Sequence, residues 1–243
     1  MQSDWRETQR RFYDSTAGRY GAHFEQANPY FRFVLERFLE TLAPRSGERI
    51  LELGCSGGRF TLPLLERGCR VTGVDISPKT IEYLARAVET HPRRDNLTLV
   101  EDDATSLARV DGADFDAVVG AHILHHVPEF ERALVAARRR LRPGGRAVFL
   151  EPNPWNPMWY AQVTFHPGKR WRIERGLLDV WPGRVRRAFE AAGFRAVGVT
   201  TFGCFPPVIL NWIRGADHAE RVLEHSSGLR RFFTLNLFRG DLG

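Results

Sequence analysis

Short apolar runs closed by a glycine or an acid alternate with amphipathic stretches through the middle of this chain. The runs predict strands over 49–53, 70–75, 97–101, 115–120 and 145–151. The stretches between them predict helices over 58–67, 78–90 and 129–141, with Ser77 and Pro78 as cap and first residue of the second. Uninterrupted apolar strands are buried on both faces. Alternation of strand and helix therefore predicts a parallel sheet covered on both sides. Residues Asp4 to Leu42 read as two helices. The second carries Tyr30, Phe31, Val34, Leu35, Phe38, Leu39 and Leu42 near the i, i+3, i+4 spacing of an amphipathic helix. Periodicity breaks at Glu151: E-P-N-P-W-N-P-M-W-Y holds three prolines and three aromatics in ten residues, which argues against a regular helix or a central strand. A helix over 183–192, with Gly193 as its stop, and strands over 194–201 and 232–238 follow. An apolar insertion over 203–228 includes Phe205, Leu210, Trp212 and Ile213.

Composition narrows the picture only a little. The chain of 243 residues is 43% hydrophobic and 26% charged, enough for one α/β domain with a sizeable core and a small cap. Its formal charge of +6 is carried almost wholly by arginine, since Lys79 and Lys169 are the only lysines. That is a solvated basic surface, and no nucleic-acid partner is expected. Cys55, Cys69 and Cys204 lack any C-x-x-C spacing, which fits reduced thiols in a cytoplasmic protein and neither a disulfide framework nor zinc. No apolar run reaches membrane-spanning length, and the N-terminus M-Q-S-D-W-R-E has no signal-peptide core. The aromatic segment after Glu151 fits a binding loop or the cover of a homodimer partner.

Candidate chemistry clusters where the predicted strands end. R-I-L-E-L-G-C-S-G-G puts Glu52 at a strand end, then a turn of Gly54, Cys55, Ser56, Gly57 and Gly58, then a helix start. Small residues let a ligand approach the backbone, and the helix start offers free N–H groups. Asp75 closes the next strand about 20 residues on, where a carboxylate meets ribose hydroxyls. Asp102, Asp103 and Ala104 follow the third strand. A-H-I-L-H-H-V-P follows the fourth, with Ala121, His122, His125 and His126 outside its carboxyl end. A histidine there can accept a proton near neutral pH. The three histidines sit on a turn without an evident carboxylate partner, and no metal is expected.

These motifs, E-x-G-x-S-x-G with Asp75, L-x-H-V after strand four and L-R-P-G-G (141–145) before strand five, resemble those of class I S-adenosylmethionine (SAM) methyltransferases of the ubiquinone and small-molecule type. The N-terminal F-Y-D-S-T-A-G-R-Y resembles their lid. The resemblance implies a Rossmann-like sheet of seven strands, with strand seven antiparallel between five and six. It implies SAM as cofactor and S-adenosylhomocysteine (SAH) as product. Glu52, Gly54, Cys55, Ser56, Gly58, Asp75 and Ile76 would hold the cofactor, together with Ala121 and His122. Asp103 with Ala104, or Asp102 in the alternative register, would meet the adenine. Tyr13 and Tyr20 are lid candidates. The proton acceptor is His126 first and His125 second. The domain reading is a helical lid over 1–45, a cofactor-binding core over 46–151, a substrate lid over 152–182 with Trp155, Trp159, Tyr160 and His166, and the rest of the core over 183–243. The implied acceptor is a small molecule methylated on oxygen, nitrogen or carbon. A D/N-P-P-Y/F motif after strand four is missing, which counts against base or protein-amide methylation. A fold repurposed for cyclisation, rearrangement or regulation is the alternative.

Overall fold

The structure, a computed structural model, describes residues 2–17, 28–165, 170–205, 210–211, 213, 215–223, 228 and 230–243. Strands β1 (Arg49–Leu53), β2 (Arg70–Asp75), β3 (Leu97–Glu101), β4 (Phe115–Ala121), β5 (Leu141–Pro152), β6 (Arg195–Phe202) and β7 (Leu235–Asp241) form one sheet in the order β3-β2-β1-β4-β5-β7-β6. β7 runs antiparallel to both of its neighbours, while the pairings from β3 across to β5 are parallel. The chain winds outward from β1 to β3 and then returns to place β4 beside β1. This reversal opens a crevice at the carboxyl ends of β1 and β4, the place where open α/β sheets bind ligands.

Alternate residues of the central strands serve different faces. Ile50, Ala117, Val119, Val148 and Leu150 pack into one buried cluster with α2 (Pro29–Leu42) and α3 (Thr61–Glu66). Leu51, Leu53, Val118, Ala147 and Phe149 pack into the other, with α5 (Phe130–Arg140) and α8 (Pro182–Ala191). The other α-helices among the described residues are α1 (Gln2–Thr16), α4 (Pro78–Ala87), α6 (Pro157–Phe165), α7 (Trp171–Glu174) and α9 (Ala216–Leu223). α4 starts as its sequence requires: Pro78 is its first residue and the Ser77 hydroxyl accepts the Thr80 N–H. α2 is part of the core and not of a lid, because Phe31, Phe33, Val34, Phe38, Leu39 and Leu42 are all buried.

The starts of β5 and β7 and the course of the chain after Glu151 differ from the sequence expectation, and α3 and α4 are shorter than the expected 58–67 and 78–90. β5 begins at Leu141, not at 145, and its pairing with β4 jumps from Phe115–Leu141 to Ala117–Arg146. The R-P-G-G turn is thus a bulge inside the strand. The prolines after Glu151 are compatible with regular structure because of where they fall. Pro152 is the last residue of β5, and Pro157 is the first of α6, where its missing N–H costs nothing. β7 begins at Leu235, not at 232. The carbonyls of Phe232 and Phe233 accept side-chain N–H groups of Asn156 and Asn153 instead.

Phe38 is fully buried and packs on Phe60, with ring centroids 4.8 Å apart. Phe38→Ala is expected to lower unfolding free energy by about 3–5 kcal/mol, read from urea denaturation. An unchanged midpoint would contradict this packing.

Candidate functional site

At the carboxyl ends of β1 and β4 lies a cavity of about 370 Å³, within the range of small-molecule sites. The turn after β1 forms one wall. Gly54 adopts a positive φ of 70°, and the N–H groups of Gly54 and Cys55 both donate to the Val74 carbonyl. Ser56 takes the left-handed conformation as well, and its N–H donates to the Asp75 carboxylate at 3.1 Å. The other Asp75 oxygen accepts the Ser77 N–H at 2.9 Å. Asp75 therefore ties the turn to the start of α4. Burial pushes its pKa up to about 6 against those hydrogen bonds. Burial also pushes Glu52 up to about 8, despite the hydroxyl that Thr61 donates to it at 2.6 Å. Both groups are primed to ionise fully when donors or a cation arrive. The Cys55 thiol is raised well above its usual value by burial and stays protonated.

The loop after β3 forms the second wall. Asp102 turns its carboxylate to the N–H groups of Asp103 and Arg109, at 2.7 and 2.6 Å. Asp103 accepts from Thr105 with one oxygen and meets Arg6 of α1 with the other, at 2.8 Å. The carboxylate facing α1 is thus that of Asp103, while Asp102 is spent on its own turn.

The loop after β4 is built around Glu151, at the end of β5 and without solvent exposure. One Glu151 oxygen accepts the N–H groups of Ile123 and Leu124, at 2.9 and 2.7 Å. The other lies 2.6 Å from Nδ1 of His125. His125 is 4% exposed, and its Nε2 lies 3.4 Å from Glu174 at the end of α7. Burial alone would lower the His125 pKa, but the two carboxylates outweigh it and raise it to about 9. His125 is therefore an imidazolium at neutral pH. That charge pegs the loop and favours His126 over His125 as proton acceptor. His125, His126 and Glu174 bring one ligating atom each within 4.8 Å of one another. His126 lines the cavity beside Tyr13, with ring centroids 5.6 Å apart. His122 sits at a positive φ of 56°, with its N–H on the Leu150 carbonyl at 2.7 Å. Such strained residues gather at functional sites.

Most of the residues singled out in sequence meet in this one cavity. Tyr13, Glu52, Gly54, Cys55, Ser56, Asp75, Ile76, Asp102, Asp103, Ala104, Ala121, His122, His125, His126 and Trp159 all line it. Gly58 does not; its positive φ serves the turn, and a side chain there would strike Leu84. Nor do Trp155 and Tyr160. Trp155 is 50% exposed and packs edge-on against Trp181, while Tyr160 donates to the Pro154 carbonyl and stacks on Trp171. Tyr20 and His166 lie outside the described residues. The structure adds lining residues that no motif flagged: Trp5, Gln9, Tyr30, Arg59, Glu174 and Leu177. Trp5 belongs to no motif, and its indole donates to the His126 carbonyl at 3.1 Å. Glu174 had no motif at all. Gly176 lets its segment press against the histidine loop, since a methyl there would collide with the His125 carbonyl.

Comparison with known proteins bears on this site. A family model described as "Methyltransferase domain" matches residues 51–149. The chain is 34% identical over 121 residues to the S-adenosyl-L-methionine-dependent Diels-Alderase iccD of Talaromyces variabilis, covering 49% of this chain and 41% of that one. It is 34% identical over 125 residues to the ubiquinone biosynthesis O-methyltransferase of Alkalilimnicola ehrlichii, covering 49% of each. The matched region thus spans about half the length of these curated relatives. Among solved structures, a SAM-dependent methyltransferase from Archaeoglobus fulgidus superposes with a TM-score of 0.62 at 21% identity, covering 88% of this chain and 94% of that one.

The Glu151–His125 contact sets a pH dependence. A pKa raised from 6.5 to about 9 gives stability that is complete below pH 6.5 and lost as pH rises through 9. Unfolding free energy is expected to fall between pH 7 and 10 in urea titrations. Glu151→Gln should flatten that fall and cost about 3–5 kcal/mol at pH 7. An unchanged pH profile in Glu151→Gln would refute the charged-peg assignment.

Proposed function

We propose that this chain, which matches a methyltransferase domain over residues 51–149 and resembles O-methyltransferases over about half its length, is a class I SAM-dependent methyltransferase that moves a methyl group from SAM to an oxygen, nitrogen or carbon nucleophile of a small molecule. The observation that carries this reading is convergence. The turn after β1, Asp75, Asp103 with Ala104, and His126 come from four separate strand ends and line one cavity.

The residues fit the cofactor group by group. Asp75 retains acceptor capacity beyond its two backbone hydrogen bonds and is placed to receive the ribose hydroxyls. Glu52 is placed to meet the methionine ammonium, and Arg59, beside the same turn and over the Phe31 ring at 4.9 Å, to meet its carboxylate. The Asp103 oxygen now held by Arg6 would receive the adenine amino group, with Ala104 leaving room for the ring. Bound SAM supplies an already activated methyl group on a sulfonium. The protein's part is to align the nucleophile with that methyl and to take up its proton. His126 serves as the proton acceptor, since His125 is already charged. Tyr13 of α1 and Trp159 of α6 wall the same space and keep water from it.

The likeness to a Diels-Alderase motivates a second reading, in which the bound cofactor is structural and the pocket directs a cyclisation. SAH release in step with consumption of the acceptor separates the two.

Two outcomes test the cofactor site. In calorimetric titrations, Asp75→Ala should weaken SAH binding about 10- to 100-fold, the loss of one or two hydrogen bonds to a carboxylate. Unchanged affinity would remove Asp75 from the site. Glu52, with a pKa of about 8 when unliganded, is mostly protonated at pH 7 and must ionise to face an ammonium. SAM binding at pH 7 should therefore release close to one proton, seen as a binding heat that varies with buffer ionisation heat. A heat independent of buffer would contradict the Glu52 assignment.

A further inference from the structure

The N-terminal helix α1 lines the cavity with Trp5, Arg6, Gln9, Phe12 and Tyr13, the spacing of one helix face. Two of its polar groups are used within the protein. The Trp5 indole donates to the His126 carbonyl, and Arg6 holds Asp103 and the Thr105 hydroxyl. Gln9 is satisfied at one end only. Its amide N–H donates to the Ile173 carbonyl at 3.1 Å, the residue is 4% exposed, and its Oε1 is buried with no hydrogen-bond partner among the described residues.

The contact with Ile173 also fixes which end of the amide is which. Only an N–H can face a carbonyl oxygen, so the end left over is an acceptor. A buried amide oxygen without a donor is costly, and native structures rarely keep one without a reason. The last torsion of a glutamine side chain is broad, so Oε1 can turn to a donor in the cavity while the N–H stays near Ile173. Its position on α1 says which part of the cavity that is. Gln9 lies one turn after Trp5 and one turn before Tyr13, the two residues of α1 that meet His126. Its other partner, Ile173, belongs to α7, whose Glu174 reaches His125. The orphan oxygen is therefore on the histidine side of the cavity, and the carboxylate of Asp103 is on the side of Arg6.

We propose that Gln9 binds the acceptor and sets its class: Oε1 receives a hydrogen from a hydroxyl or N–H of a small neutral molecule and orients it on the histidine side. This rests on the methyltransferase reading above and adds the substrate class to it. An ether or a carboxylate at that place offers Oε1 only lone pairs and is disfavoured.

The test uses purified protein saturated with SAH, titrated by ligand-observed NMR with p-cresol, p-toluidine and p-xylene, which match in shape. The first two should bind more tightly than p-xylene, although p-xylene is the most hydrophobic of the three. In Gln9→Met, which keeps the length and removes the acceptor, the ratio should move at least about fivefold toward p-xylene while SAH still binds, the loss of one hydrogen bond to a buried acceptor. A glutamine that only fastens α1 to α7 would weaken all three ligands alike and leave their ratio unmoved. A second readout holds even if that variant fails to fold. In isotope-labelled wild-type protein, the Gln9 side-chain amide signals, assigned by through-bond correlation, should shift with p-cresol and stay in place with p-xylene. Tightest binding of p-xylene to the wild type, an unmoved ratio in Gln9→Met, Gln9 amide signals indifferent to bound p-cresol, or binding of none of the three would each overturn the proposal. Failure of SAH itself to bind would instead sink the methyltransferase reading, so the two failures are distinguishable.

Discussion

The buried contact between Glu151 and the loop after β4 is the interaction on which the site depends. A carboxylate with no solvent exposure is expensive unless every oxygen is satisfied. Here two backbone N–H groups and an imidazolium satisfy it. The consequence is a loop that is not free to choose its shape. Ile123, Leu124 and His125 are held to the end of β5, and His122 is forced into a left-handed conformation. Both histidines line the cavity, but His125 is buried against Glu151 while His126 packs beside Tyr13. Two adjacent histidines thereby acquire different chemistry from environment alone: one is held as a cation at neutral pH, the other is the candidate base.

The N-terminal helix completes the enclosure, although it adds no strand or core layer. Arg6 reaches Asp103, Asp14 accepts the Ser77 hydroxyl at 2.6 Å, Trp5 donates to the His126 carbonyl, and Gln9 donates to the Ile173 carbonyl. These contacts bridge α1 to the turns after β2, β3 and β4 and to α7. The guanidinium of Arg175, 3.8 Å from the centre of the Trp5 ring, packs the same helix from outside. A single helix therefore spans the cavity from the Asp103 loop to the His126 loop.

Much of the fold was legible because its signals are local. β1, β2 and β3 match the apolar runs at 49–53, 70–75 and 97–101, each bounded by a turn residue or an acid. Ser77-Pro78 marked the start of α4 in the same way. The ends of β5 and β7 were less legible because distant groups decide them: the partner strand sets the bulge at 142–145, and Asn153 and Asn156 capture the carbonyls that would otherwise begin β7. In the site, residues on motif turns were found and residues brought by packing were not. Glu174 comes from a four-residue helix with no signature, and its meaning exists only against His125. Trp155 and Tyr160 looked like Trp159 in sequence. The direction each ring takes from α6 and the preceding turn separates them: Trp159 toward His122, Tyr160 toward Trp171, and Trp155 toward Trp181.

The proposed function requires one cavity to hold the cofactor along β1 and β2 and to present its reactive end to His126. A crystal structure of the protein with SAH tests it most directly. The account predicts ribose hydroxyls on Asp75, the adenine against Ala104 with its amino group on Asp103, and the sulfur turned toward the His126 side of the cavity. SAH bound elsewhere, or in this cavity with its sulfur turned away from His126, would contradict it.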